Sequence, residues 1–160
     1  MKKALVVIDV QNYYMNKHTK NLPEKISRFI ENSDFDFVVF TKFINDEGSS
    51  LSKILNWKEC SSSPDTDISE QLIKFTTKNN VFEKNTYSIF KSLKLKKFLE
   101  KNKITEVHLC GLDTDACILA SAYDGFDMGY KVKVLELCQS HCGKKFEESA
   151  MKIIEKNLQK

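Results

Sequence analysis

Three residues have types and positions that could carry chemistry: Asp9, Lys84 and Cys117. Asp9 closes the apolar run Val6-Val7-Ile8, where a carboxylate is costly unless it is paired or used. A capping or purely structural carboxylate is the competing account. Cys117 follows Gly111 at a point where a helix begins, and the positive end of a helix dipole favours a thiolate. Lys84 follows the short apolar pair Val81-Phe82, and a lysine near a thiol pushes in the same direction. Taken alone, a cysteine on an apolar helix is more often packing. Cys60, Cys110, Cys138 and Cys142 are open to that same account.

A cysteine nucleophile needs a base. Of the three histidines, His108 sits inside an apolar strand pattern and reads as buried structure. His18 and His141 fall on loops, and nothing in the sequence places either beside Cys117. Asp9 is the better base, because enclosure by apolar residues favours proton uptake by a carboxylate. The spacing Cys138-x3-Cys142 around His141 suggests a metal, but a second ligand pair at metal-site spacing is missing, so the segment reads as a loop after a strand.

The elements that must position these residues alternate along the whole chain. Val6 to Val10 reads as a central parallel strand covered on both faces. Asn21, Pro23 and Glu24 look like a helix start with a capping box, followed by Ile26, Phe29 and Ile30 at helical spacing. Phe35 to Phe43 is a second strand. A long irregular stretch from Asn45 to Asp67 has the length of a functional loop or of one with short helices. Ile68 to Phe75 reads as a short helix and Val81-Phe82 as a short strand. Leu95, Phe98 and Leu99 form the apolar face of a lysine-rich helix. Glu106 to Cys110 is a strand, Thr114 opens a helix that closes near Gly129, Lys131 to Leu137 is a strand, and Phe146 to Ile154 marks a last helix. The expected fold is α/β, a doubly wound three-layer α/β/α arrangement on a central, mostly parallel, Rossmann-like sheet. Working residues in such sheets gather at the carboxyl ends of the strands.

Bulk properties narrow the function classes. A length of 160 residues predicts one domain spanning 1–160. The composition is 41% apolar and 29% charged with a net charge of +3. That bias is too weak for nucleic acid or an acidic membrane surface, and no basic run is interleaved with aromatics. The apolar stretch near Met1 stops at Asp9 without a small-residue cleavage site, so it reads as a strand and not a leader. Nothing approaches a membrane span. Five cysteines, an odd count, favour reduced thiols and a cytoplasmic location.

The motifs around the three positions resemble those of a known family. Ile8-Asp9-Val10-Gln11-Asn12-Tyr13-Tyr14 is similar to an opening D-x-Q-x-x-F. Glu83-Lys84-Asn85-Thr86-Tyr87-Ser88-Ile89-Phe90 is similar to K-x-x-Y-S-x-F. Cys110-Gly111-Leu112-Asp113-Thr114-Asp115-Ala116-Cys117-Ile118 is similar to G-[IVL]-x-T-D-x-C-V, and Trp57 through Cys60 to a W-x-x-C stretch. Their order and span resemble the cysteine-hydrolase branch of the isochorismatase-like superfamily, which includes nicotinamidases and carbamoyl-amide hydrolases. The resemblance implies Cys117 as nucleophile, Asp9 as proton acceptor and Lys84 as the residue holding both. It implies an oxyanion hole from the backbone N–H groups of Asp113 and Cys117 beside a cis Leu112–Asp113 peptide. It places Tyr14 and Trp57 against the substrate, with packing an equal account of Trp57, and it implies a homodimer.

The chain departs from the family's metal-dependent members. Where nicotinamidases carry an aspartate and two histidines after the second strand, this chain reads Phe43-Ile44-Asn45-Asp46-Glu47-Gly48-Ser49-Ser50, with no histidine. Asp46 and Glu47 alone are poor ligands for a soft metal. The expectation is therefore no metal and no cofactor, a small-molecule amide or carbamoyl substrate, and C–N cleavage by a Cys-Asp-Lys triad through a thioester. The competing expectation is a non-catalytic binding or redox-responsive module on the same fold, with Cys117 as a reactive thiol.

Overall fold

The computed structural model describes residues 1–159. Five strands form one sheet: β1 (Lys2–Ile8), β2 (Phe37–Phe43), β3 (Val81–Lys84), β4 (Ile104–Leu112) and β5 (Lys131–Gln139). Their order is β3-β2-β1-β4-β5 and every pairing is parallel. In the central strand, Ala4 through Ile8 are all inaccessible to solvent, so both faces of the sheet are covered. That explains the unbroken apolar run, since alternation is lost when neither face meets water.

The cover comes from helices. α1 (Leu22–Glu31) packs on β4 and β5, α4 (Leu93–Lys101) on β4, and α5 (Leu119–Asp127) and α6 (Lys144–Leu158) on β5. This is the expected three-layer arrangement. Two short helices, α2 (Ser50–Ile54) and α3 (Glu70–Ile73), interrupt the long connection between β2 and β3. No described helix is long and apolar enough to cross a membrane.

One local expectation fails. Asn21 makes no side-chain cap, and Glu24 pairs with Arg28 on the next turn at 2.9 Å. The chain enters α1 from a turn that is already helical, with Leu22 N–H donating to Thr19 O and Lys25 N–H to Asn21 O. A capping box needs an extended residue at that point, and Asn21 has φ −95° and ψ −7°.

β1 and β4 approach closely where β1 ends. Ile8 pairs with Gly111, whose φ is +118°. A β-carbon at Gly111 would lie 2.2 Å from Ile8 O. Both the dihedral and the contact therefore require glycine, and this closeness brings the ends of β1 and β4 together. Gly111→Ala is expected to cost on the order of 3 kcal/mol or more, read as a lowered urea midpoint. An unchanged midpoint would mean the strands separate freely there.

Candidate active site

The carboxyl ends of four strands converge on one buried group of side chains. Asp9 follows β1 with φ +50°, a left-handed conformation that aspartate tolerates better than most residues. Lys84 is the last residue of β3, and Cys117 lies in a π-helical turn, Thr114–Ile118, between β4 and α5. In that turn Asp113 O accepts N–H bonds from Ala116 and Ile118, so the backbone wraps around Asp113 before α5 begins. The Leu112–Asp113 peptide is cis.

Lys84 holds the other two residues. Its Nζ lies 2.6 Å from Asp9 Oδ2, with both side chains 1% exposed. The same ammonium donates to Cys117 Sγ at 3.5 Å and to Thr86 O at 2.7 Å. Its outer side faces the Phe43 ring at 5.1 Å from the centroid. Burial alone would pull the Lys84 ammonium down, but the charge of Asp9 beside it, with its hydrogen bonds to Asp9 and Cys117, outweighs burial and holds Lys84 above the usual lysine value. Burial also pushes the Cys117 thiol well above its ordinary range, with Lys84 opposing and Asp9 reinforcing that shift. The expected thiolate from a helix dipole is therefore not the resting state: desolvation wins, and the thiol keeps its proton until a base removes it.

Thr41 is a member of the site that motif reading passed over. It is buried in β2, donates its hydroxyl to Asp9 Oδ1 at 2.7 Å, and accepts Asp9 N–H at 3.2 Å. Its only signal was a hydroxyl inside the run Val38-Val39-Phe40-Thr41. Thr41→Val keeps the shape and leaves a buried carboxylate oxygen without its donor. The expected loss is about 1–3 kcal/mol in urea unfolding, and no loss would show that Asp9 is oriented by Lys84 alone. Gln11 has a different task. Its amide bonds Phe43 N–H at 2.7 Å, Phe43 O at 2.8 Å and Thr66 O at 2.9 Å, which ties the end of β2 to the loop before α3.

Cys117 opens into a cavity of about 390 Å³ walled by Tyr13, Tyr14, Phe43, Trp57 and His141. The expected pair Tyr14 and Trp57 both line it. Trp57 also stacks on Phe43 at 6.0 Å, so packing and cavity wall are the same role. A larger cleft of about 640 Å³ runs along the β3 edge beside Lys78 and Lys94. It lacks Cys117, and the Lys84 ammonium is committed inward, so the smaller cavity is the candidate site.

His141, left unplaced by the sequence, stands on the wall of this cavity. Its N–H donates to Asp113 Oδ1 at 2.9 Å and its Nδ1 meets Asp113 Oδ2 at 2.5 Å, while the ring lies edge-on to Tyr14 at 5.3 Å. The hydrogen bond to Asp113 raises the His141 pKa above its ordinary value, against the effect of burial. Stability from this pair is therefore complete below about pH 6.5. It fades as pH rises through the higher folded-state value. An NMR titration is expected to place His141 above 6.5 and to show Asp113→Asn bringing it back down; equal titration in both proteins would dismiss the Asp113–His141 pairing as the cause.

The remaining expectations resolve plainly. His108 is partly buried against Glu106 at 2.6 Å and Phe35 at 4.9 Å. His18 lies beside Gly143 and is not on the cavity wall. Cys138 is buried with its thiol toward Leu109 O, and Cys142 is exposed at the cavity rim. Among the described residues, no group of three His, Cys, Asp or Glu side chains is placed to hold a metal.

The family model of the Isochorismatase domain matches residues 3–159. The isochorismatase family protein PncA of Bacillus subtilis (strain 168) is 28% identical over 153 residues, covering 84% of each chain. The solved structure of nicotinamidase PncA from Bacillus subtilis superposes with a TM-score of 0.81 at 25% identity, over 99% of this chain and 97% of that one. N-carbamoylsarcosine amidase from Thermoplasma acidophilum shares the fold, with a TM-score of 0.82 at 21% identity over 99% and 93% of the two chains.

Proposed function

This chain belongs to the isochorismatase family, and on that premise we propose that it is a cysteine amidohydrolase cleaving the C–N bond of a small amide or carbamoyl compound. The observation that carries the reading is the buried Lys84 ammonium, 2.6 Å from Asp9 and 3.5 Å from Cys117 at the floor of a cavity. Similarity to a nicotinamidase, and a fold shared with an N-carbamoylsarcosine amidase, support the same bond type.

The chemistry follows from the protonated thiol. Asp9 takes the Cys117 proton as the sulfur attacks the carbonyl carbon, so a buried thiolate is never left to stand alone. The tetrahedral oxyanion is held by the N–H groups of Asp113 and Cys117, donors of a kind that contribute on the order of 3 kcal/mol to such a transition state. Asp9 returns the proton to the leaving nitrogen, and amine or ammonia departs. Asp9 then draws a proton from water, the hydroxide attacks the thioester, and the acid leaves as the proton returns to Cys117.

Of the aspartate and two histidines that hold a metal in some members, this chain offers only acidic residues, Asp46 and Glu47. The loop after β2 has no histidine, and Asp46 is spent on Asn85 at 3.1 Å and Gly48 N–H at 2.8 Å. These commitments support a metal-independent reaction. The decisive experiment is ammonia release from a panel of primary amides and carbamoyl compounds after exhaustive chelation. Turnover that survives the chelator is expected; turnover restored only by added zinc or iron would refute the metal-independent reading.

A further inference from the structure

The cavity above Cys117 is not closed on the side of α2. Leu51, Leu55 and Tyr87 line both this cavity and a neighbouring one of about 370 Å³ that runs on past Ile54. Along this line Ile54 is 78% exposed, Leu55 64% and Tyr87 46%. Single exposed apolar residues need no explanation. Several lining one groove that leads to a buried thiol are what a ligand channel requires.

Charge narrows the occupant. Beside Cys117 the cations are committed: Lys84 beneath it to Asp9 and His141 on the wall to Asp113. Lys91, on the neighbouring cavity, is solvent-exposed in a surface pair with Asp124 at 3.6 Å. Asp115 adds a carboxylate to the wall beside Cys117. In the cavity over Cys117 an anionic substituent would meet Asp115 and, among the described lining residues, no cation but the paired His141, whereas an uncharged apolar chain would gain cover from Leu51, Ile54, Leu55 and Tyr87. Resting on the amidase reading, we propose that this groove holds the apolar tail of the substrate, which is a primary amide of an elongated, uncharged carboxylic acid. The carboxamide carbon meets Cys117 Sγ, and the tail passes between Leu55 and Tyr87 toward Ile54. Water and amide then yield ammonia and the free acid, with no other reactant.

The test uses the wild-type protein on straight-chain primary amides from propionamide to octanamide, with succinamate as the anionic control. The expected result is a rise in kcat/KM of about two- to fourfold per methylene, carried by KM, with succinamate the poorest substrate. Ile54→Asp, a surface change, is expected to bring the octanamide-to-propionamide ratio toward one. A flat profile in the wild type, or a steep one in Ile54→Asp, overturns the proposal. So does a wild-type dimer in sedimentation that Ile54→Asp dissolves, because a second copy then covers the groove. Ammonia from none of the amides would count against the amidase reading instead. The groove would then be decided by quenching of Trp57, the single tryptophan. Tighter binding of octanamide than propionamide upholds it, and equal binding overturns it.

Discussion

Cys117→Ala is expected to lower amide turnover by on the order of 10⁴ or more while leaving the fold in place. The sulfur is the atom that Lys84 meets at 3.5 Å, and the Lys84–Asp9 pair does not depend on it. Removing it deletes the nucleophile and leaves a small gap, at a cost of about 1 kcal/mol. Ammonia release and urea unfolding on the same preparation separate the two effects. Cys117→Ser tests the point further: a hydroxyl keeps the shape but is a far weaker nucleophile beside a carboxylate base. Activity within tenfold of wild type in either variant would remove Cys117 from the chemistry.

Lys84→Met is the second large effect, and it falls on stability as well as activity. Asp9 and Lys84 are buried together at 2.6 Å. Taking away the ammonium strands a carboxylate left with the Thr41 hydroxyl at 2.7 Å and no countercharge within the pair. Breaking a buried pair from one side costs about 3–5 kcal/mol, and urea unfolding at neutral pH should register it. Asp9→Asn strands the lysine in the same way. The double variant is expected to lose clearly less than the two single losses together, because it leaves no unpaired charge. Additive losses would mean that the two groups do not interact. Lys84 titrates above the ordinary lysine value, so its contribution is whole at neutral pH and is lost only as pH rises through that higher folded-state value. Turnover should vanish in all three variants.

Much of the fold was legible because its physics is local. The unbroken apolar run Ala4 to Ile8, stopped by Asp9, reads as a strand covered on both faces, and the repeated strand–helix alternation left a parallel sheet as the natural outcome. Asp9 was conspicuous as a charge at the end of that run. The Asn21 cap was misread because a capping box depends on the path by which the chain arrives, and Asn16 to Leu22 already forms a tight turn.

The sequence by itself determined the α/β class, because periodicity is a property of neighbouring positions. It pointed to Asp9 as a charge out of place, and to Lys84 and Cys117 chiefly through motifs that resemble a known family's. Only the tertiary structure decided what surrounds them. Thr41 reaches Asp9 because β1 and β2 are in register there, His141 reaches Asp113 because β4 and β5 end side by side, and Tyr87 joins Leu51 and Leu55 in one groove across the gap between chain segments. The state of the Cys117 thiol likewise turned on burial, which sums contacts from the whole chain and overrides the dipole of one helical turn.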